Sequence, residues 1–131
     1  MTSLRFRVVE GRYAVCRIAP DEAVPAWAFS GPLCSITRTP EEISIICAEA
    51  AVPASVRHEG GWAALMLEGP FSFGLTGILA SALVPLAGAQ VPIFALSTYD
   101  TDWILLPAAM LPQAVAALRA AGHVECSALN P

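Results

Sequence analysis

The sequence predicts an α+β fold made of two similar halves, and three observations lead to this prediction. Apolar residues make up 56% of the 131-residue chain and charged residues only 14%, which is typical of a folded chain with a large buried core. Short apolar runs that suit strands alternate with segments of helical spacing. The order strand, helix, strand, strand occurs twice, on either side of a polar segment at 57–61 that ends in two glycines. We therefore expect one half at residues 1–60 and another at 61–131.

The first half is predicted to contain three strands and one short helix. Residues 12–18 form the first expected strand, and residues 21–29 a helix shortened by an internal proline. Two further strands are expected at 33–39 and 43–49, joined by the turn Pro40-Glu41-Glu42.

The second half has the clearer pattern. The apolar run at 62–67 predicts a buried strand, and apolar residues at spacings of three and four from Leu75 onward predict a helix. Ser72 is the expected N-cap of this helix and Gly88 its expected C-cap. The remaining predicted elements are strands at 91–97 and 103–106 and a helix that ends at Gly122.

Two halves of this size cannot each cover both faces of a sheet. Sheets placed side by side, with helices on one face, would solve this problem and would create an interface where a pocket can form. The two halves align with an offset of 49 residues at the first strand and of 60 at the hairpin, where residues 35–43 match 95–103. The small share of charged residues also predicts an apolar surface patch that a second subunit covers, so we expect a homodimer.

Charge and hydropathy argue against two classes of partner. The net charge is −4, and the seven basic residues, all arginine, are scattered without a basic stripe, so nucleic acid is not expected. Four of them, Arg5, Arg7, Arg12 and Arg17, alternate with apolar residues as on the wet face of a strand. No apolar run reaches about 18 residues, and the first ten residues lack a signal-peptide core. Neither a membrane partner nor secretion is expected, and the expected location is cytoplasmic.

Catalytic and metal-binding patterns are missing from the sequence. Cys16, Cys34, Cys47 and Cys126 are far apart and form no CxxC pair, so we expect them to behave as small apolar residues. The two histidines are 65 residues apart, without the spacing of a metal motif. No nucleophile elbow, phosphate-binding loop or dinucleotide fingerprint is present. We therefore expect no enzyme activity, no metal and no cofactor.

The segment 91–107, Val-Pro-Ile-Phe-Ala-Leu-Ser-Thr-Tyr-Asp-Thr-Asp-Trp-Ile-Leu-Leu-Pro, resembles the signature of small bacterial tandem ACT-domain proteins. The same pattern occurs in the ACT domains of aspartate kinases and of animal cytosolic arginine sensors. The segment 74–79, Gly-Leu-Thr-Gly-Ile-Leu, is similar to the loop and helix start that precede it in those proteins. The resemblance implies two ferredoxin-like βαββα ACT repeats that bind an amino acid at an ACT–ACT interface, without an attached catalytic domain.

The resemblance also implies a ligand site, and the chemistry of its residues agrees. Backbone N–H groups at a helix start suit a carboxylate, and an aspartate on a facing turn suits an ammonium group. The candidate ligand-binding residues are Gly74, Leu75, Thr76, Ile93, Thr98, Tyr99, Asp100 and Asp102. Each also has a purely local explanation, since glycine, threonine and aspartate are common in turns and caps.

Three functional hypotheses follow. The first is a regulatory protein that binds a small molecule such as an amino acid. The second is an ACT module without a ligand that dimerises or docks on another protein. The third is a thiol-dependent enzyme, which would require a cysteine and a histidine within hydrogen-bond distance in a pocket.

Overall fold

Seven strands and two α-helices form in residues 3–68 and 77–126, the part of the chain described by a computed structural model. In chain order they are β1 (Arg5–Ile18), β2 (Ser35–Arg38), β3 (Ile43–Ala48), β4 (Arg57–Leu67), α1 (Ile78–Gly88), β5 (Phe94–Ser97), β6 (Asp102–Pro107), α2 (Leu111–Ala120) and β7 (Val124–Glu125). Three short 3-10 turns lie at Ala26–Phe29, Glu49–Ala51 and Ala108–Met110. The prediction of an α+β fold is confirmed. Neither described helix has the length and apolar content needed to cross a bilayer.

The chain forms two compact units that are interleaved in sequence. The terminal unit consists of Met1–Val9 and Ala63–Pro131, and the inserted unit of Glu10–Trp62. Strands β1 and β4 each contribute residues to both units. The assignment of residues 1–60 and 61–131 as two successive ACT-like domains stays a prediction.

The terminal unit is a sheet with both α-helices packed on one face. Its strand order is β5-β6-β4-β1-β7, with β5 antiparallel to β6 and β7 parallel to the start of β1. Alternate residues of the strands point to the helices, as the period of two in a strand requires. The core between sheet and helices contains Leu4, Phe6, Ala63, Leu65, Leu67, Ala82, Leu86, Val91, Ile104, Leu106, Ala114 and Leu118.

The inserted unit has the strand order β2-β3-β1-β4, with β3 antiparallel to both β2 and β1. Its core consists of Ala14, Cys16, Ile18, Ala28, Ile43, Ile45 and Cys47. The predicted helix at 21–29 is wrong, because only the 3-10 turn Ala26–Phe29 forms. Pro25 cannot donate a backbone hydrogen bond, and it disfavours helical geometry at the residue before it, so the helix cannot begin earlier.

The internal repeat is real, but its predicted register is wrong by one residue. Strands β2 and β5, strands β3 and β6, and the 3-10 turns after them are all related by an offset of 59, not 60. In both hairpins the backbone N–H of a threonine closes the turn. The N–H of Thr39 donates to the carbonyl of Glu42, and the N–H of Thr98 donates to that of Thr101, each at 2.8 Å. The prediction matched Pro40 with Asp100 and so missed the equivalence of the two threonines.

The polar segment 57–61 is part of β4, although it was predicted to be a break. Its two glycines allow a close approach of Glu49. The Gly61 N–H donates to Glu49 Oε1 at 2.8 Å, and a Cβ on Gly60 would come within 1.8 Å of the same oxygen. Gly61 has a φ of +80°, which side-chain-bearing residues adopt at a cost. The two glycines therefore leave room for the Glu49 side chain against β4.

Both helices end in the same hydrogen-bonded motif. At the end of α1 the Val91 N–H donates to the Leu86 carbonyl at 3.0 Å, and Gln90 has a φ of +59°. At the end of α2 the His123 N–H donates to the Leu118 carbonyl at 3.1 Å, with a φ of +94° at Gly122. These are Schellman caps. The predicted stop at Gly122 is confirmed, whereas Gly88 is the last helical residue of α1 and not its left-handed cap.

Candidate functional site

In the terminal unit the start of α1 lies at the end of the sheet where β4 ends and β1 begins. Here the Glu68 N–H donates to the Arg5 carbonyl at 2.9 Å, which joins the end of β4 to the start of β1. Helix α1 runs back along the sheet from this end. Strand β5 therefore runs in the same direction as β4, and the two strands end at the same end of the sheet. The β5–β6 turn and the start of α1 are therefore on the same side of the unit.

A half-open groove of about 320 Å³ lies beside α1, and its volume is within the range of small-molecule sites. One wall is the outer surface of α1, and the other is the segment that follows α2. The lining residues are Gly77, Ala80, Ser81, Val84, Pro85, Ala121 and His123. Val84 is 69% exposed, so an apolar wall faces the opening.

At the base of this groove His123 is only 5% exposed and fully hydrogen-bonded. Its Nδ1 accepts the Leu4 N–H at 3.1 Å, so Nε2 carries the proton and donates to the Ser81 carbonyl at 2.7 Å. The Ser81 carbonyl needs this donor because the residue four positions later is Pro85, which has no N–H. His123 thus replaces the helix hydrogen bond that Pro85 removes.

The start of α1 presents unpaired backbone donors. The first hydrogen bond of the helix runs from the Ser81 N–H to the Gly77 carbonyl at 2.9 Å, so the N–H groups of Ile78, Leu79 and Ala80 have no acceptor within the helix. No side chain of the described residues caps this end. Gly77, which precedes the helix, has a φ of +75° and open space where a Cβ would be. Such a helix start favours a carboxylate.

Hydrogen bonds that involve its own side chains stabilise the β5–β6 turn. Thr98 Oγ1 accepts the Thr101 N–H at 3.0 Å, and Trp103 Nε1 donates to Thr101 Oγ1 at 2.8 Å. Ser97 Oγ donates to Asp102 Oδ1 at 2.5 Å. At the tip of the turn Asp100 is exposed, and Tyr99 is 79% exposed.

Glu68 gathers several polar groups at the end of β4. Its Oε1 is 2.5 Å from Nη2 of Arg7, and its Oε2 is 3.2 Å from Nε of Arg5 and 3.7 Å from Sγ of Cys126. The hydrogen bond from Arg5, together with the nearby charge of Arg7, lowers the pKa of Glu68 below its ordinary value. The same hydrogen bond raises the pKa of Arg5. Both ion pairs therefore persist at neutral pH.

Comparisons with known proteins give the family. A family model described as an ACT domain matches residues 57–120, and a second, described as an N-terminal domain, matches residues 11–55. The human protein CASTOR3P is 36% identical over an alignment of 115 residues, and the match covers 75% of this chain and 71% of the human protein. This chain belongs to the ACT-domain family.

Solved structures agree with the family of this ACT protein. The crystal structure of a protein from Agrobacterium tumefaciens matches with a TM-score of 0.92 and 35% identity, over 99% of this chain and 97% of that one. The regulatory subunit of aspartate kinase from Thermus thermophilus matches with a TM-score of 0.58 and 14% identity, over 85% of this chain and 93% of that one. The second likeness concerns the fold alone. The resemblance and the ferredoxin-like fold predicted from sequence are confirmed.

The predicted site residues of this ACT protein fall into three groups. Gly74, Leu75 and Thr76, together with the expected cap Ser72, lie outside the described residues. Ile93 precedes β5, although it was predicted to be within a strand, and it packs partly buried against the core of the terminal unit. Thr98, Tyr99, Asp100 and Asp102 lie at the β5–β6 turn. Their assignment as ligand-binding residues stays a prediction.

His123 and the groove beside it were not predicted. The sequence did contain a signal, because a proline inside an amphipathic helix leaves one carbonyl without its donor. A buried donor must then come from elsewhere in the chain. Among the described residues, no three side chains of histidine, cysteine, aspartate or glutamate are placed as a metal site would need.

Proposed function

We propose that this ACT protein is a regulatory module, not an enzyme, and that it binds an amino acid at the start of α1. One observation carries the proposal. An apolar groove of about 320 Å³ adjoins a helix start whose N–H groups have no side-chain cap among the described residues. A free amino acid needs such a combination, a donor set for its carboxylate beside a surface for its side chain.

The proposed ligand contacts three parts of the protein at this end of the sheet. Its carboxylate accepts hydrogen bonds from the N–H groups at 78–80, and its side chain lies against Val84 in the groove. The ammonium group is bound by Asp100, because the carboxylate of Asp102 already accepts a hydrogen bond from Ser97. Gly74, Leu75 and Thr76 stay candidate ligand contacts, since they come shortly before α1 in the chain.

Regulation would follow from differential affinity. A ligand that binds one arrangement of a cytoplasmic homodimer more tightly than another shifts the population towards the first. A partner protein that recognises only one arrangement then responds to the ligand. The similarity to the regulatory subunit of an aspartate kinase supports this function at the level of the fold.

Thermal unfolding of the purified protein with each of the twenty amino acids tests the proposal. A ligand at a hundred times its Kd stabilises the native state by about 2.7 kcal/mol. We therefore expect one chemical group of amino acids to raise the Tm by several degrees at millimolar concentration. If none of the twenty does so, the proposal is wrong.

Two exposed alanines locate the site. Ala80 lines the groove, whereas Ala116 is exposed on α2 outside it. Ala80→Trp should fill the groove and abolish the Tm increase, and Ala116→Trp should leave it unchanged. Asp100→Asn should weaken binding about tenfold or more, since a hydrogen bond to a charged group contributes about 1.5–3 kcal/mol. Full binding by Ala80→Trp would show that the ligand lies elsewhere.

A further inference from the structure

Three cysteines that are far apart in the sequence meet in the inserted unit: Cys16 lies on β1, Cys47 on β3, and Cys34 is the residue before β2. The β2–β3 ladder ends at the pair Ser35 and Ile46, and its antiparallel register, extended by one residue, brings Cys34 opposite Cys47. In the β1–β3 ladder Cys47 is opposite Ala14, and Cys16 is opposite Ile45. Cys16 is therefore the diagonal neighbour of Cys47 on the same face of the sheet, and both belong to the core of this unit.

Strand geometry distinguishes the two cysteine pairs. The Thr39–Glu42 pair that closes the hairpin is hydrogen-bonded, and alternation along the ladder makes the Cys34–Cys47 pair a non-hydrogen-bonded one. Directly opposite residues of that kind have Cα atoms about 4.5 Å apart, within the range of about 4.4–6.8 Å that a disulfide spans. Diagonal neighbours are about 7–8 Å apart, which is too far without backbone movement. Only Cys34 and Cys47 are placed to be joined.

Exposure and charge assign different roles to the three thiols. Cys34 is exposed, whereas Cys16 and Cys47 are buried. Burial, with the nearby Cys47, raises the pKa of Cys16 to about 12, so Cys16 remains a thiol. Burial also raises the pKa of Cys47, while a hydrogen bond from Cys16 acts in the opposite direction by favouring the Cys47 thiolate. The negative charge of a Cys34 thiolate affects the pKa of Cys47, which is consistent with their closeness.

We propose that Cys34 and Cys47 form a reversible thiol-modification site that reacts with small disulfides such as oxidised glutathione. The exposed Cys34 thiolate attacks one sulfur of the small disulfide, forms a mixed disulfide and releases one small thiolate. Cys47 then loses its proton to solvent and attacks the sulfur of Cys34, which forms the Cys34–Cys47 bond and releases the second small thiolate. The protein loses two electrons, and the small disulfide is reduced to two thiols.

The arginines of the chain make the products easy to assign. Cleavage after arginine leaves each cysteine in a different peptide: 13–17 with Cys16, 18–38 with Cys34, 39–57 with Cys47, and 120–131 with Cys126. The native protein is incubated in glutathione buffers of increasing oxidised fraction, its free thiols are alkylated, and the peptides are identified by mass spectrometry. We expect peptides 18–38 and 39–57 to become linked, and the link to disappear on return to reduced glutathione.

Single variants test each role. Cys34→Ser, at an exposed position, should abolish the link without unfolding the protein, which circular dichroism checks. Cys126→Ala is the matched control and should leave the link unchanged, because Cys126 lies in the other unit. Cys16→Ala should still form the link, but more slowly. The proposal is overturned if Cys34 keeps only a glutathione adduct, if the link contains Cys16 or Cys126, or if two chains become joined through Cys34.

Discussion

Among single residues, Glu68 binds an unusual number of partners for a residue just beyond a strand. Arg5 and Arg7 come from alternate positions of β1, so their side chains leave the same face of the sheet. Both reach Glu68, whose side chain is 24% exposed, and Cys126 reaches it from beyond β7. The alternation of arginine with apolar residues predicted this wet strand face, but the sequence contains no signal that pairs Arg5 or Arg7 with a glutamate some sixty residues away.

The lowered pKa of Glu68 predicts a stability that depends on pH. Because the folded-state pKa is below the ordinary value of 4.5, the ionised carboxylate stabilises the fold above that value. This contribution is lost as the pH falls through the folded-state pKa. Glu68→Gln should therefore lower the free energy of unfolding by about 0.5–1 kcal/mol at pH 7, the usual scale for partly exposed ion pairs, and by less at pH 3.

Urea denaturation at both pH values measures this difference. Glu59→Gln is the matched control, since Glu59 is exposed in β4 and forms no hydrogen bond or ion pair with another described residue. It should have little effect at either pH. Equal destabilisation by Glu68→Gln at pH 7 and pH 3 would contradict an ionic role for Glu68.

At the scale of secondary-structure elements, α1 contains a proline that costs a free helix about 3 kcal/mol. The cost has two parts, a clash of the ring with the preceding turn and the loss of one hydrogen bond to Ser81. His123 removes the second part by donating to the Ser81 carbonyl. The helix is thereby tied to the segment after α2 and, through Nδ1, to the N–H of Leu4.

A double-mutant cycle tests this compensation. His123→Ala should destabilise the protein by about 1–3 kcal/mol, because it leaves the Ser81 carbonyl and the Leu4 N–H without partners. In the Pro85→Ala background the cost should be smaller by about 1 kcal/mol, since the new alanine supplies the missing N–H to the Ser81 carbonyl. The free energies of unfolding come from urea titration of the four proteins.

Pro112, at the start of α2, provides the matched control for this cycle. A proline in the first turn of a helix removes no helix hydrogen bond. Pro112→Ala and His123→Ala should therefore be additive. Additivity of Pro85→Ala with His123→Ala would contradict the compensation.

The elements themselves were predictable to different degrees. Apolar spacing predicted both helices of the terminal unit, because each buries one stripe against a sheet. The same reasoning failed at 21–29, where the apolar residues belong to a turn. It also assigned no strand to 5–11 of β1, although Arg5 and Arg7 alternate with apolar residues, or to 57–61 of β4, because polar residues and glycines there suit an exposed strand as well as a loop. The two-residue strand β7 has no pattern of its own.

At the scale of the whole molecule, the composition predicts self-association. Charged residues are only 14% of the chain, and Val84, Phe94 and Val124 of the terminal unit are all more than a third exposed. We expect a homodimer in analytical ultracentrifugation at micromolar concentration, because a chain with so few charges leaves apolar surface that a partner usually covers. Val124→Asp should shift the protein towards the monomer, and Ala116→Asp, at an exposed position of α2, should not. A wild-type protein that sediments as a monomer throughout would contradict the prediction.

The family could be predicted from a short part of the chain, because segment 91–107 has both a hairpin and its flanking strands in a characteristic order. The groove could not, since it depends on His123 and Pro85, which are separated in sequence and meet only in the folded unit. The closeness of Cys16, Cys34 and Cys47 was missed for a related reason. Sequence spacing detects ligand or redox pairs within one loop, whereas Cys16, Cys34 and Cys47 are brought together by the register of three strands.

The interleaving of the two units has a consequence for synthesis on the ribosome. All residues of the inserted unit have been made once Trp62 has been added, so this unit can fold while the rest of the chain is still being translated. The first part of β1 belongs to the terminal unit, and its neighbour β7, paired at Arg5 and Val124, is made only after the other described strands and helices. At about 5–20 residues per second, translation from Trp62 to Val124 takes on the order of several seconds. Strand β1 is thus among the last of the described strands to find all its neighbours.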